Sequence, residues 1–253
     1  MEPRPTRGAL STLHGAARAA VDTPAAQNRD SAMARVIFWD VDTQYDFMRA
    51  EGKLYVPEAE TLIPRLKRLT DYAHGHNIRV VASADDHVAG HPEISDTPDW
   101  KNTFPPHCMR GTPGQQKIPE TALRDPLVIE PARANPAALT DRVRAHTGDI
   151  LFHKHRFDVF TNENVMTVLE VLDPQDIVLY GVALDVCDKA AIEGLLERRP
   201  ATRLFAVTDA MKPIDKDVAE HLLKEWGEEG VRLVKTKEVV EEGLVAELAR
   251  ATA

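Results

Sequence analysis

The sequence predicts a doubly wound α/β fold, a parallel sheet of about six strands with helices on both faces. Three observations lead there. Short runs rich in Val, Ile, Leu and Phe recur along the chain, stretches with apolar residues three and four apart lie between them, and the first run ends abruptly in acidic residues. Strands separated by amphipathic helices run parallel and cross over right-handedly, which makes the expected sheet Rossmann-like.

The strand-like runs are RVIFWD (35–40), IRVVASA (78–84), DILFHK (149–154), DIVLYGV (176–182), RLFAVTD (203–209) and VRLVKT (231–236). Helical spacing joins Leu62, Leu66, Leu69 and Ala73, then Val165, Val168, Leu169 and Leu172. It returns in Ala191, Leu195 and Leu196, and again in Val218, Leu222 and Trp226. The first run is followed within a few residues by Asp40, Asp42 and Asp46. That is the pattern of a buried parallel strand whose C-terminal end opens into a crevice. The turn after it lacks G-x-G-x-x-G, which argues against a dinucleotide site. Residues 85–126, rich in Pro, Asp and His, make one long irregular stretch, and such stretches in compact domains are usually functional.

Residues 1–32 are rich in Ala, Arg, Pro and Thr and read as a disordered extension, leaving 33–253 as a single domain. The leader lacks the continuous apolar stretch of a secretory signal. Met33, just before the first strand, offers an alternative start.

At 253 residues and 43% hydrophobic, the chain can bury one full core. Its net charge of -9 argues against nucleic acid or an anionic membrane as a partner, because binding phosphates needs a basic surface. No apolar stretch approaches the roughly 18 residues that span a bilayer. Two cysteines, Cys108 and Cys187, are too few for a disulfide framework and fit a reducing cytoplasm.

Chemistry gathers at the strand ends and in the long stretch. Asp40 and Asp42 allow a D-x-D phosphatase reading; equally, one aspartate serves as base for a nucleophile elsewhere. Asp85 and His87, two apart at an extended strand end, can converge on one cation, and His107 can close the site. Glu93, His91 and Asp96 compete for a fourth position. Pro105 and Pro106 stiffen the backbone just before His107. Cys187 falls where strand gives way to helix, near a partial positive charge that favours thiolate. Lys154 ends an apolar run and needs a partner, for which Asp42 is the obvious candidate.

These motifs, in this order, resemble the isochorismatase-like cysteine hydrolases, and within them the nicotinamidases. The family's opening V-D-x-Q-x-D-F is matched by VDTQYDF at 41–47, its D-x-H and W-P-P-H-C-x-x-G-T-x-G by DDH and FPPHCMRGTPG, and its G-V-A-x-D-x-C by GVALDVC at 181–187. The likeness spans about 35–240. It implies a catalytic set of Asp42, Lys154 and Cys187, with Asp42 rather than Asp40 as the base. It further implies a cis Val182–Ala183 peptide and an oxyanion hole from the amides of Ala183 and Cys187. The implied metal ligands are Asp85, His87, Glu93 and His107, holding zinc, or manganese or iron in its place. Phe104 stands where the family has tryptophan, and with Phe47 is expected to pack against the substrate ring. The D-x-D phosphatase reading fails because Gln44 stands where that motif needs a hydroxyl residue.

The implied activity is hydrolysis of nicotinamide to nicotinate and ammonia through a thioester, by a cytoplasmic homo-oligomer. Another small amide, or a carbamoyl or ureido compound, is the alternative substrate. A non-catalytic binding protein on the same fold is the reading from a different class.

Overall fold

Neighbouring residues of the first strand point into two different cores: Phe38 is buried in one and Trp39 in the other. A strand can do this only when both faces of its sheet are covered. The computed structural model describes residues 35–251 together with Met1, so the expected extension at 1–32 lies, apart from Met1, outside the described residues.

Among the described residues the strands are β1 (Val36–Val41), β2 (Arg79–Asp85), β3 (Leu127–Ile129), β4 (Ile150–Lys154), β5 (Asp176–Val182), β6 (Arg203–Lys212) and β7 (Arg232–Val234). They form one sheet in the order β3-β4-β2-β1-β5-β6-β7, with every pairing parallel. The helices are α1 (Tyr45–Met48), α2 (Ile63–Gly75), α3 (Pro136–Ala145), α4 (Val165–Leu172), α5 (Lys189–Arg198), α6 (Lys216–Glu228), α7 (Thr236–Val240) and α8 (Leu244–Ala251). Leu66 and Leu69 of α2, Val239 of α7 and Val245 of α8 cover the face that contains Phe38. Leu139 of α3, Leu169 of α4, Leu195 of α5 and Trp226 of α6 cover the face that contains Trp39. The doubly wound α/β architecture is thus as the residue pattern predicts.

Seven strands replace the expected six. The addition, β3, is a three-residue edge strand at Leu127–Ile129, too short to display any periodicity. Besides the short α1 and α7, two longer helices also escape the pattern. One is α3, whose N-terminus is capped by Asn135 accepting from the Ala138 amide at 3.0 Å and carries Pro136 in its first turn. The other is α8. The last strand is shorter than VRLVKT suggests, because Asp209 captures both the amide and the hydroxyl of Thr236, at 2.8 and 2.9 Å, and turns the chain into α7.

The winding reverses beside β1: β2 lies on one side of it and β5 on the other. In open parallel sheets that reversal splits the strand ends apart and leaves a crevice beyond their carboxyl termini. Gly181, at φ +143°, lets β5 close on β1, since a Cβ there would lie 2.1 Å from the Val41 carbonyl oxygen.

Candidate active site

Four adjacent strands, β4, β2, β1 and β5, bring Lys154, Asp85, Asp42 and Cys187 to the crevice. Asp42 follows β1 directly, at φ +48°, and is fully buried. Its Oδ1 accepts from the Ser83 hydroxyl at 2.6 Å. Its Oδ2 lies 2.8 Å from the Lys154 Nζ as a charge contact and accepts no aligned hydrogen bond. That oxygen therefore keeps a lone pair free to accept a proton.

Lys154 is fully buried and lies 2.5 Å from Asp85 Oδ1 and 3.8 Å from the Cys187 sulfur. Burial alone would push its ammonium down, but Asp42 and Asp85 together outweigh burial and hold it charged well above the usual range. Asp42 is raised above an ordinary carboxylate, by burial first and by the Asp85 charge as well, against the pull of Lys154.

Cys187 sits in a one-turn π-helix, Leu184–Asp188, between β5 and α5. The Val182–Ala183 peptide that enters this turn is cis. Its thiol is pushed well above the ordinary range by burial and by Asp42 and Asp85, which together exceed the lowering by Lys154. Burial and the two carboxylates thus oppose the thiolate that the strand-to-helix position favours. A partial charge at a helix start is weaker than the loss of water around sulfur next to two carboxylates.

The second cluster adjoins the first through Asp85. One ligating atom each from Asp85, His87, Glu93 and His107 lie within 4.8 Å of one another, and all four side chains are buried. His107 Nδ1 donates to the Pro105 carbonyl at 2.7 Å, which turns Nε2 toward Asp85 Oδ2 at 3.4 Å. Neither nitrogen of His87 has a hydrogen-bond partner. A fully buried imidazole without partners is costly, and two histidines with two carboxylates around one point form the donor set of a divalent cation such as zinc. The residues fit such an ion. Glu93, not His91 or Asp96, completes the group; His91 packs against His155 with ring centres 4.0 Å apart, and Asp96 is exposed.

Between the two clusters opens a cavity of about 190 Å³. Cys187, Ala183, Asp85, Glu93 and His107 line it on the reactive side, and Phe47, Phe104 and Phe157 supply aromatic wall. Phe47 and Phe104 flank His107 at ring separations of 5.5 and 6.2 Å. A larger cleft, of about 450 Å³, near His74, Arg79 and Asp149, contains none of the candidate site residues.

Three contributors escaped the sequence reading. Ser83 is one. Gln44 is another: its amide accepts from the Asp85 N–H at 2.7 Å and donates to the Asp85 carbonyl at 2.8 Å, fixing a metal-cluster residue from the strand next door. Phe157 donates its backbone N–H to Glu93 Oε2 at 2.7 Å. Ser83 lies two residues before Asp85 on the same strand, and that alternation is the signal that could have found it. Asp40, by contrast, pairs with Lys117 at 3.0 Å and Thr43 at 3.2 Å and takes no part. Asp46 accepts the Cys108 amide at 2.7 Å and so pins the segment behind His107.

Comparison with known proteins gives one consistent result. A sequence model of the isochorismatase domain matches residues 131–238. The nicotinamidase/pyrazinamidase of Mycobacterium tuberculosis is 30% identical over 203 residues, covering 77% of this chain and 95% of the relative. The nicotinamidase of Saccharomyces cerevisiae is 25% identical over 199 residues, covering 70% and 88%. Among solved structures, the pyrazinamidase of Pyrococcus horikoshii in complex with zinc shares the fold, at a TM-score of 0.63 and 20% identity over 79% of this chain and 99% of that one.

Proposed function

The chain belongs to the isochorismatase family, and from that premise we propose that it hydrolyses nicotinamide to nicotinate and ammonia through a thioester on Cys187. It is an enzyme acting on the C–N bond of a linear amide. The observation that carries the substrate is the junction of the two clusters: Cys187 of one and Asp85, Glu93 and His107 of the other line one small, aromatic-walled cavity, with Asp42, Lys154 and His87 buried behind them.

In this reading Asp42 Oδ2 takes the Cys187 proton as the sulfur attacks the carboxamide carbon. Because burial holds the thiol protonated, proton transfer and attack proceed together rather than from a standing thiolate. The amides of Ala183 and Cys187 hold the developing oxyanion. Asp42 returns the proton to the leaving nitrogen, the C–N bond breaks, and ammonia departs. Asp42 next takes a proton from water, whose oxygen attacks the thioester carbon; the C–S bond breaks, and the sulfur recovers the proton as the acid leaves. Lys154 keeps Asp42 oriented and balances its charge throughout. Phe47 and Phe104 align the ring so that the carboxamide meets the sulfur. A divalent ion, zinc or in its place manganese or iron, held by Asp85, His87, Glu93 and His107, would supply a Lewis-acid position for the ring nitrogen.

No helix among the described residues is long and apolar enough to cross a membrane. Cys108 and Cys187 are both free, which supports a cytoplasmic setting. Small amides are the proposed partners, nucleic acid is not, and a homo-oligomer is the expected assembly.

Ammonia release from nicotinamide and benzamide tests the proposal. Benzamide lacks the ring nitrogen and should be at least about tenfold poorer in kcat/KM. Equal turnover of the two would overturn nicotinamide as the substrate.

A further inference from the structure

Apart from Met1, the two most exposed large apolar side chains among the described residues are Trp100, at 64%, and Ile214, at 51%. They are far apart in the chain and line the same cavity. Single exposed apolar residues need no explanation, but two converging on the mouth of one reactive cavity do.

Each is held by an aspartate that clamps backbone rather than pairing with a cation. Asp99 Oδ1 accepts the amides of Lys101, Asn102 and Thr103 at 2.9, 2.7 and 2.8 Å, and these bonds hold its carboxyl well below the usual range. The clamp keeps Trp100 at φ +58°, a left-handed conformation that disfavours a bulky side chain. The Trp100 ring meets Phe104 edge to face at 6.5 Å, so it extends the inner aromatic wall outward. Asp185, two residues before Cys187, accepts the amides of Ile214 and Asp215 at 2.9 and 2.8 Å. The segment carrying Ile214 is thereby fastened to the turn carrying the nucleophile. Folding alone gives no reason to hold an indole in water on a left-handed backbone, whereas a flat ring to cover does.

We infer that Trp100 and Ile214 form a fixed apolar lip that contacts the part of the substrate ring remote from the carboxamide, selecting flat aromatic amides over aliphatic ones. This rests on the amide-hydrolase reading but not on the ring nitrogen. Phe47 and Phe104 hold the ring deep in the cavity, and the lip covers its outer edge and excludes water from the carbonyl. An aliphatic amide is too short to reach the lip and gains nothing from it.

The three tryptophans make a direct readout available, since Trp39 and Trp226 are buried and only Trp100 faces water. In the full chain carrying Cys187→Ala, saturating nicotinate should blue-shift the emission, acetate should not, and the shift should vanish when Trp100→Leu is added. Kinetically, Trp100→Leu should raise KM for the best-used aromatic amide among nicotinamide, pyrazinamide and benzamide by roughly tenfold, leave kcat within about twofold, and leave propionamide unchanged. Ile214→Ala should shift KM in the same direction by less. An unchanged aromatic-to-aliphatic ratio in Trp100→Leu, or no emission shift at nicotinate concentrations that protect wild-type Cys187 from alkylation, overturns the lip. Equal use of benzamide and nicotinamide by the wild type would remove the ring-nitrogen reading and leave the lip standing, whereas turnover of aliphatic amides alone would remove both.

Discussion

Lys154 holds Asp85 by one carboxylate oxygen, at 2.5 Å, while the other oxygen of Asp85 faces His107 at 3.4 Å and His87 at 3.8 Å. One buried ammonium therefore serves both the base that would act on the thiol and a carboxylate of the cation-binding group. Lys154→Met should abolish turnover and also lower the zinc retained after dialysis, measured by elemental analysis. Stability should fall by about 3–5 kcal/mol in denaturant unfolding, because Asp42 and Asp85 are left buried without a counter-charge. Full zinc retention in the variant would show that the two clusters are not coupled.

Cys187→Ala should remove activity with little change in melting temperature, since it deletes one sulfur that faces the cavity. Cys108→Ala should keep kcat and lose stability by about 1 kcal/mol, because Cys108 is fully buried. Iodoacetamide mapped by mass spectrometry should label Cys187, with a rate that climbs with pH above the ordinary thiol range because burial and the carboxylates hold its proton. Labelling confined to Cys108 would mean that the wrong cysteine carries the chemistry.

Ser83→Ala removes a hydrogen bond to the charged form of Asp42, whose proton affinity should then rise further. The acid limb of the kcat/KM profile should move to higher pH, and the rate at neutral pH should drop by about tenfold. An unmoved acid limb with the same drop would assign Ser83 a packing role only.

Asp188 follows the proposed nucleophile, is fully buried, and has no hydrogen-bond partner for either carboxylate oxygen. Burial, with Asp42 and Asp185 adding to it, raises its carboxyl well above the usual range. A folded-state value above the unfolded one means that its stability contribution is complete below the unfolded value, roughly pH 4, and is lost as pH rises toward the folded value. Asp188→Asn cannot ionise, so its stability relative to wild type should grow between pH 5 and pH 8, by about 1–3 kcal/mol. Parallel unfolding curves for the two proteins over that range would refute the assignment.

Most of this arrangement is legible in the residues because strand ends are. An apolar run that ends in Asp, Lys or Cys marks both the element and the place where its last side chain emerges, as with Asp42, Asp85, Lys154 and Cys187. Elements without a period stay hidden, as Leu127–Ile129 does. Small helpers hide too: Ser83 within VASAD looks like filler in a buried strand until the partner strand supplies Asp42. Trp100 belongs to an irregular segment whose shape comes from one Asp99 carboxylate, and no spacing rule reports that. The forces that oppose a thiolate at Cys187 hide for a different reason, since sequence shows the helix that follows but not the burial around the sulfur.

The order β4-β2-β1-β5 gives the row of Lys154, Asp85 and Asp42 a lattice, with positions set by the spacing of hydrogen-bonded strands, while Trp100 and Ile214 at the rim of the cavity hang from loops fastened by Asp99 and Asp185. The two parts are therefore built by different means and tied together at Asp185, two residues before Cys187. A designer can exchange the tip that carries Trp100 to admit a different amide and leave the strand-borne side chains in register, whereas a side chain at Gly181 would wedge β1 from β5 and put that row out of alignment with the Trp100 tip untouched.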